Sequence, residues 1–99
     1  MADAQLVEND DGSWLLQGKL DYVSVPSVLR HAGVDMLGKA QLTVDLNGVT
    51  RADSAGLALL VEWLRESELA GNSINFVNVP AQLLSIARVC GLEEILSLN

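Results

Sequence analysis

Apolar and polar residues alternate most regularly in the middle of the chain. Residues 41–46 place leucine or valine at every second position, with glutamine, threonine and aspartate between them, which predicts a strand with one buried face. A short polar loop is expected after this strand, followed by a strongly apolar helix over residues 54–71. Near the N-terminus, residues 5–8 and 13–18 form two further strand candidates, and the turn-forming residues 9–12 between them predict a hairpin.

Helical spacing of apolar residues recurs in two other segments. It predicts a helix over residues 24–38, with Ser24 as the N-cap. A strand is expected over residues 73–77, and the last helix over residues 80–91, where a glycine closes it. The apolar tail, residues 92–98, is expected to pack back on the core.

The predicted order is therefore β-β-α-β-α-β-α plus a C-terminal tail, an α/β architecture in which strand–helix–strand crossovers are parallel and right-handed. The strands over residues 13–18 and 41–46 then run in the same direction, and the residues after them meet at one edge of the sheet. Ligands and partners of open α/β sheets favour this carboxyl edge. The residues expected there are Lys19, Leu20, Asp21, Arg51, Asp53 and Ser54.

Length and charge narrow the classes of function. The chain has 99 residues, which suits one domain over residues 1–99, and a net charge of −7, which disfavours direct binding of nucleic acid or anionic lipid. Its apolar runs are far shorter than the ~20 residues of a membrane span, and no signal peptide is visible. The single cysteine, Cys90, excludes an internal disulfide and is interpreted as a small core residue. We expect a cytoplasmic protein without membrane insertion.

Sequence motifs for catalysis are missing. We find no Gly-rich phosphate loop, no dinucleotide fingerprint and no Cys/His spacing typical of a metal site. His31, the only histidine, is expected on the surface, about two turns into its helix and away from the sheet edge that carries Ser54. A triad of Ser54, His31 and Asp53 is therefore poorly supported. We expect no enzyme activity, no catalytic residue, no cofactor and no metal.

Ser54 itself has two interpretations. Its position at the start of an apolar helix, beside Asp53, is typical of a helix N-cap, and it equally suits a recognition or phosphorylation point. A capping box would have Glu or Gln at the third helical position, and this chain has Leu57 there. The cap is thus not optimised for stability, which favours the second interpretation.

The face that the same helix turns outward also matters. A helical wheel assigns one broad arc to the core, namely Leu57, Leu60, Trp63 and Leu64. The opposite side carries small and apolar residues near Ser54 and acidic residues further on, namely Ala55, Ala58, Leu59, Glu62 and Glu66. An exposed apolar patch beside a hydroxyl suits the docking of a protein partner. The alternative is that the loop after residue 46 or the tail covers this patch.

Two motifs resemble those of STAS domains, the fold of bacterial anti-sigma factor antagonists and sulfate transporter tails. Residues 18–21, Gly-Lys-Leu-Asp, are similar to the G-E-L-D element of the family, with Lys19 in place of the usual Glu. Residues 53–57, Asp-Ser-Ala-Gly-Leu, follow a Val-Asp-Leu strand and resemble the D-S-x-G-L signature around a phosphorylatable serine. The resemblance covers nearly the whole chain and implies a mixed sheet with helices mainly on one side and Ser54 at the recognition edge.

Within the family, residues 54–65 and 76–88 most resemble the small STAS subunit of Mla lipid-transport ABC complexes. The resemblance implies a non-catalytic subunit on the cytoplasmic face of the inner membrane. It would bind the ATPase subunit of a complex that also holds permease and substrate-binding subunits, moves phospholipid and maintains outer-membrane lipid asymmetry. The alternative is an anti-sigma factor antagonist that is switched by phosphorylation of Ser54.

Both hypotheses place partner recognition at the same edge. Ser54 is the candidate phosphorylation site. The residues expected to bind the partner are Asp21, Arg51, Asp53, Ser54, Ala55, Gly56, Ala58, Leu59 and Glu62.

Overall fold

A four-stranded mixed sheet organises the computed structural model, which describes residues 4–98. Strands β1 (Ala4–Glu8) and β2 (Trp14–Leu20) form an antiparallel hairpin, and β2, β3 (Gln41–Ala52) and β4 (Ser73–Val77) run parallel to one another. The order across the sheet is β1-β2-β3-β4. The predicted hairpin, the parallel pairing of β2 with β3 and the α/β class are confirmed.

The helices follow the predicted order with one correction. They are α1 (Val25–His31), α2 (Val34–Leu37), α3 (Ser54–Leu69) and α4 (Ala81–Val89). The prediction of one continuous helix over residues 24–38 is wrong, because Ala32 leaves the helical region with φ −77° and ψ 84° and Gly33 follows it. Glycine is among the weakest helix formers, so the chain breaks there and resumes as the short α2.

Strand β3 is longer than predicted, since it runs past Leu46 to Ala52 without the expected polar loop. Val49 and Ala52 stay buried beyond Leu46, so the polar residues between them belong to a half-buried strand. Irregular register with β2 accommodates the extra length. Gly48 makes this possible, because a Cβ there would lie 2.5 Å from the Cβ of Gln17 on β2.

The core lies between one face of the sheet and the helices. Leu57, Leu60 and Trp63 of α3 are buried, as the wheel predicted, and Leu64 is half-buried. The tail packs back on the core as expected, through two leucines in its last three described residues. The buried apolar side chains of the sheet are Ala4, Leu16, Leu20, Leu42, Val44, Leu46, Val49, Ala52 and Phe76.

Cys90 is not a core residue, so that prediction is wrong. It is exposed and forms the C-cap of α4, one position beyond the last helical residue. The buried side of α4 is instead set by Leu83 and Ala87, four residues apart on one face of the helix.

Candidate functional site

The carboxyl ends of β2 and β3 meet at one edge of the sheet, as the topology predicted. Lys19 pairs with Arg51 and Leu20 pairs with Ala52 across the two strands. The backbone N–H of Asp53 then donates to the Leu20 carbonyl at 3.1 Å, which fixes the start of α3 against the end of β2. The edge therefore brings together residues that are more than thirty positions apart in the chain.

Asp53, and not Ser54, is the N-cap of α3. Its backbone is extended, with φ −119° and ψ −164°, and its Oδ1 accepts a hydrogen bond from the Ala55 N–H at 2.8 Å. Its carbonyl also accepts from the Gly56 N–H at 3.0 Å. Ser54 is already the first helical residue, so the interpretation of Ser54 as a cap is wrong. Its exposed side chain is released from that structural role.

The predicted docking face of α3 is only partly accessible. Ser54 and Ala58 are exposed, and Ala55 and Glu62 are half-buried. The outward placement predicted for Leu59 is wrong, because this side chain is only 1% exposed and belongs to the core. The accessible surface beside Ser54 is therefore formed by small side chains and not by a large apolar residue.

Gly56 is also buried and serves the packing of α3. A Cβ at this position would lie 3.0 Å from the Leu20 Cβ and 3.4 Å from the Ala52 Cβ. The absence of a side chain lets the first turn of α3 approach the ends of β2 and β3 closely. This contact positions Ser54 at the edge of the sheet.

Asp21 and Ser24 hold the turn between β2 and α1. Oδ1 of Asp21 accepts from the backbone N–H of Val23 at 3.0 Å and of Ser24 at 2.9 Å. The buried Ser24 hydroxyl donates to the Lys19 carbonyl at 2.6 Å, and its oxygen accepts from the Asp21 N–H at 3.1 Å. The hydrogen bond from the Ser24 N–H, with a smaller contribution from Val23, lowers the pKa of the Asp21 carboxyl below its ordinary value.

Three residues at this edge were not predicted from the sequence. Tyr22 and Val23 project from the turn with 78% and 66% of their surfaces exposed. Oε1 of Gln82, in the first turn of α4, accepts from the Ala52 N–H at 2.9 Å and satisfies the end of β3. An apolar Tyr-Val pair inside an otherwise polar turn was a usable signal, whereas no local pattern marks Gln82.

Tyr22 and Gln82 border a depression of about 340 Å³ beside the start of α3. A larger hollow of about 630 Å³ lies near the C-terminal end of α3, between Ala32 and Leu69, and does not reach Ser54. The depression at the sheet edge is lined by Lys19, Leu20, Asp21, Tyr22, Arg51, Ala52, Asp53 and Gln82.

His31 is not brought to this edge. It is exposed, as predicted, and its Nδ1 lies 2.7 Å from the Ser27 carbonyl, within α1. It borders a separate groove between α1 and β1. The arrangement of Ser54, Asp53 and His31 therefore does not form a nucleophile with its general base.

Two further properties concern the part of the chain that the structure describes. Among the side chains described, those of residues 4–33 and 36–98, no cluster of three or more His, Cys, Asp or Glu is placed to hold a metal ion. In the same range, none of the helices combines the length and apolar character that crossing a bilayer requires.

The fold and the site define a class: a small α/β domain with a mixed sheet and a serine at the start of its central helix. A family model described as "Mlab, STAS domain" matches residues 11–97. The chain therefore belongs to the STAS-domain family of the Mlab type. This confirms the resemblance that the two sequence motifs indicated.

Individual relatives agree with this assignment. The intermembrane phospholipid transport system binding protein MlaB of Haemophilus influenzae is 30% identical over 90 residues, which cover 87% of this chain and 86% of that protein. A chain of the Acinetobacter MlaFEDB complex, in its ATP-bound Vtrans2 conformation, is 27% identical with a TM-score of 0.78. That match covers 94% of this chain and 99% of the other.

Similarity of fold extends to anti-sigma factor antagonists. The Bacillus cell fate determinant SpoIIAA in its phosphorylated form matches with a TM-score of 0.67, over 92% of this chain and 86% of that one. Its sequence identity is 17%, so this likeness concerns the fold alone.

Proposed function

We propose that this chain is a non-catalytic accessory subunit of a phospholipid-transporting ABC complex that maintains outer-membrane lipid asymmetry. In this proposal it lies in the cytoplasm, peripheral to the inner membrane, and is held there by its protein partner. The partner is the ATPase subunit, and permease and substrate-binding subunits complete the assembly. The likeness to MlaB of Haemophilus influenzae and to a chain of the Acinetobacter MlaFEDB complex supports the proposal.

The observation that carries the proposed binding mode is the division of roles between Asp53 and Ser54. Because Asp53 caps α3, the exposed hydroxyl of Ser54 is available to a partner. The exposed Ala58 lies one turn further along the helix, and small side chains at this place let another backbone approach closely. The partner surface then extends across the edge to Asp21, Arg51, Ala55 and Glu62, while Gly56 and Leu59 support it from beneath.

Charge supports a protein partner with a basic docking surface. The chain carries a net charge of −7, so long-range attraction favours a positively charged ATPase surface and opposes anionic lipid. The chain would thus support the transporter through protein contacts, without touching lipid itself.

The test is capture of the ATPase subunit by the purified chain, with Ser54→Glu and Ser54→Ala compared with wild type. Glutamate introduces a negative charge that the helix N-terminus tolerates, but its bulk holds the two backbones apart and its carboxylate must lose water on binding. We expect Ser54→Glu to weaken binding by at least about tenfold, with the fold intact by circular dichroism. Near-wild-type binding by Ser54→Glu contradicts the proposed surface, and failure of the wild type to bind any ATPase subunit contradicts the proposed function.

A second candidate function rests on the same exposed hydroxyl. Ser54 stands at the N-terminus of a long helix, where a phosphate group is electrostatically favoured. This geometry suits an anti-sigma factor antagonist that a kinase switches by phosphorylation. Mass spectrometry of the chain purified from its own organism distinguishes the two: stoichiometric phosphate on Ser54, with a kinase among the co-purified proteins, favours signalling.

A further inference from the structure

The cations Lys19 and Arg51 form an unusual pair at the carboxyl edge of the sheet. They are direct partners across the neighbouring strands β2 and β3, and both are exposed. Like charges opposite each other on a sheet are unfavourable, so the pair does not serve the stability of the sheet.

Among the side chains that the structure describes, residues 4–33 and 36–98, no ion pair neutralises Lys19 and Arg51. The ion pairs within these ranges join Lys39 with Glu8, Arg65 with Glu62, and Arg88 with Glu93. Lys19 and Arg51 take part in none of them, although the chain has more than twice as many acidic as basic residues. The two cations therefore stand side by side in a strongly acidic protein. The hydrogen bonds from Ser24 and Val23 lower the pKa of Asp21 more than the charge of Lys19 does.

The two carboxylates of the same depression have other hydrogen-bond partners. Oδ1 of Asp21 accepts from two backbone N–H groups of its own turn, and Oδ1 of Asp53 accepts from the first turn of α3. They remain close enough to oppose a polyanion such as a nucleotide triphosphate. A single additional carboxylate is a better electrical match for the exposed cations than a triphosphate.

Two large exposed side chains beside the depression indicate a protein as the source of that carboxylate. Tyr22 lines the same depression with 78% of its surface exposed, and Val23 lies next to it. Tyr22 and Arg51 both line the depression, and tyrosine and arginine are among the residue types that most often dominate the binding energy of protein interfaces.

We infer that the depression between Tyr22 and Gln82 receives an acidic side chain of the partner protein. Lys19 and Arg51 bind this carboxylate, while Tyr22 packs against apolar side chains of the partner that lie beside it. This inference rests on the proposed function, because it takes the ATPase subunit as the partner. In this contact the positive charges belong to this chain and the negative charge to the partner. Elsewhere in the proposed docking surface this chain is acidic and the partner basic. Such a contact fixes the register of the two proteins.

The test compares two charge reversals that change the net charge equally. Arg51→Glu removes the inferred contact, and Arg88→Glu serves as the control, because Arg88 lies about 9 Å along α4 from Gln82 and does not line the depression. The ion pair of Arg88 with Glu93 is exposed, so its loss should change the stability of the fold little. Affinity for the purified ATPase subunit is measured by calorimetry at about 0.1 M salt, near physiological ionic strength. We expect Arg51→Glu to bind at least about tenfold more weakly, and Arg88→Glu to bind as well as wild type or slightly better.

Each outcome of this comparison decides something. If Arg51→Glu binds the ATPase subunit as tightly as wild type does, the inference is overturned but the proposed function is not. If the wild type itself does not bind, the proposed function is overturned. If Arg51→Glu is poorly folded, Arg51→Gln is used with Arg88→Gln as its control. If the acidic surface residues of the ATPase subunit are replaced by lysine one at a time, one of these variants should bind Arg51→Glu more tightly than it binds the wild-type chain. Binding of inorganic phosphate by the chain alone, lost in Arg51→Glu, overturns the inference in favour of a phosphate site.

Discussion

At the start of α3, Asp53 accepts the hydrogen bond from the Ala55 N–H, while the neighbouring Ser54 carries an exposed hydroxyl. We expect Asp53→Ala to lower the free energy of unfolding by about 1 kcal/mol, because a backbone donor of the first turn loses its partner. Ser54→Ala should cost less than about 0.5 kcal/mol, as is usual for an exposed position. Urea denaturation of both variants checks this; equal losses contradict the assignment of Asp53 as the cap.

The turn at Asp21 predicts a dependence of stability on pH. Its folded pKa lies below the ordinary value of 3.8, so the carboxylate stabilises the fold above that pH, and the contribution is lost as the pH falls through the folded pKa. Asp21→Asn should therefore melt at a lower temperature than wild type near neutral pH, and the difference should shrink as the pH falls through the folded pKa.

Calorimetric melting curves of wild type and Asp21→Asn at several pH values measure this difference. The carboxyl groups of Asp11 and Glu62, whose pKa values are also lowered by hydrogen bonds from Ser13 and Arg65, titrate in both proteins and cancel in the comparison. Asp10→Asn is the control, because it removes an exposed carboxylate that lies outside the turn between β2 and α1. A difference that persists unchanged into acid contradicts a role for the charge of Asp21.

At the scale of elements, the two ends of α3 have different expected roles. The end near Ser54 is proposed to bind the partner and the C-terminal end is not, although both carry an exposed alanine. Ala58→Arg places a bulky cation one turn from Ser54, while Ala70→Arg places the same group at the C-cap of the helix. Both residues are exposed, so neither change should move the melting temperature much. Binding of the ATPase subunit should collapse only in Ala58→Arg. Equal binding by the two variants contradicts the α3 contact.

Most of the burial pattern of α3 could be predicted from its sequence, but the placement of Leu59 could not. The wheel placed Leu57, Leu60 and Trp63 correctly because those residues face the sheet. Leu59 borders that arc, four residues before Trp63, and is buried as well, since α3 packs against other helices in addition to the sheet. A helix with two neighbours buries a wider arc than a single stripe, and the sequence of one helix does not report its second neighbour.

The strands that end at the carboxyl edge also depend on neighbours that their own sequences do not reveal. The parallel pairing and the meeting of Lys19 with Arg51 followed from the order of elements. The full length of β3 did not, because Gly48 reads as a turn residue until its close approach to Gln17 on β2 is known. Gln82 was missed for a related reason, since its contact with Ala52 spans thirty residues.

At the scale of the whole molecule, we expect the isolated chain neither to hydrolyse ATP nor to bind it tightly. The carboxyl edge of the sheet offers two cations but also two carboxylates, and the chain has no Gly-rich loop to surround a triphosphate with N–H donors. Any effect on ATP turnover should then arise through the ATPase subunit, by stabilising its assembled form or by positioning its helical region.

Calorimetry with ATP and magnesium on the chain alone, followed by ATPase assays of the partner with and without it, measures both parts of this expectation. Micromolar binding by the chain alone favours the signalling function. Turnover by the chain alone contradicts both functions. A matched preparation of Ser54→Glu should leave the basal rate of the ATPase subunit unstimulated.

The hydrogen-bonded turn between β2 and α1 has a kinetic consequence. Asp21 and Ser24 fix the backbone that carries Tyr22 and Val23 before any partner arrives. Little chain entropy then remains to be lost on association, and no slow rearrangement has to precede the encounter. The association rate should be set by diffusion and by the opposite charges of the two surfaces, so that the lifetime of the complex, rather than the speed of its formation, responds to substitutions at this turn.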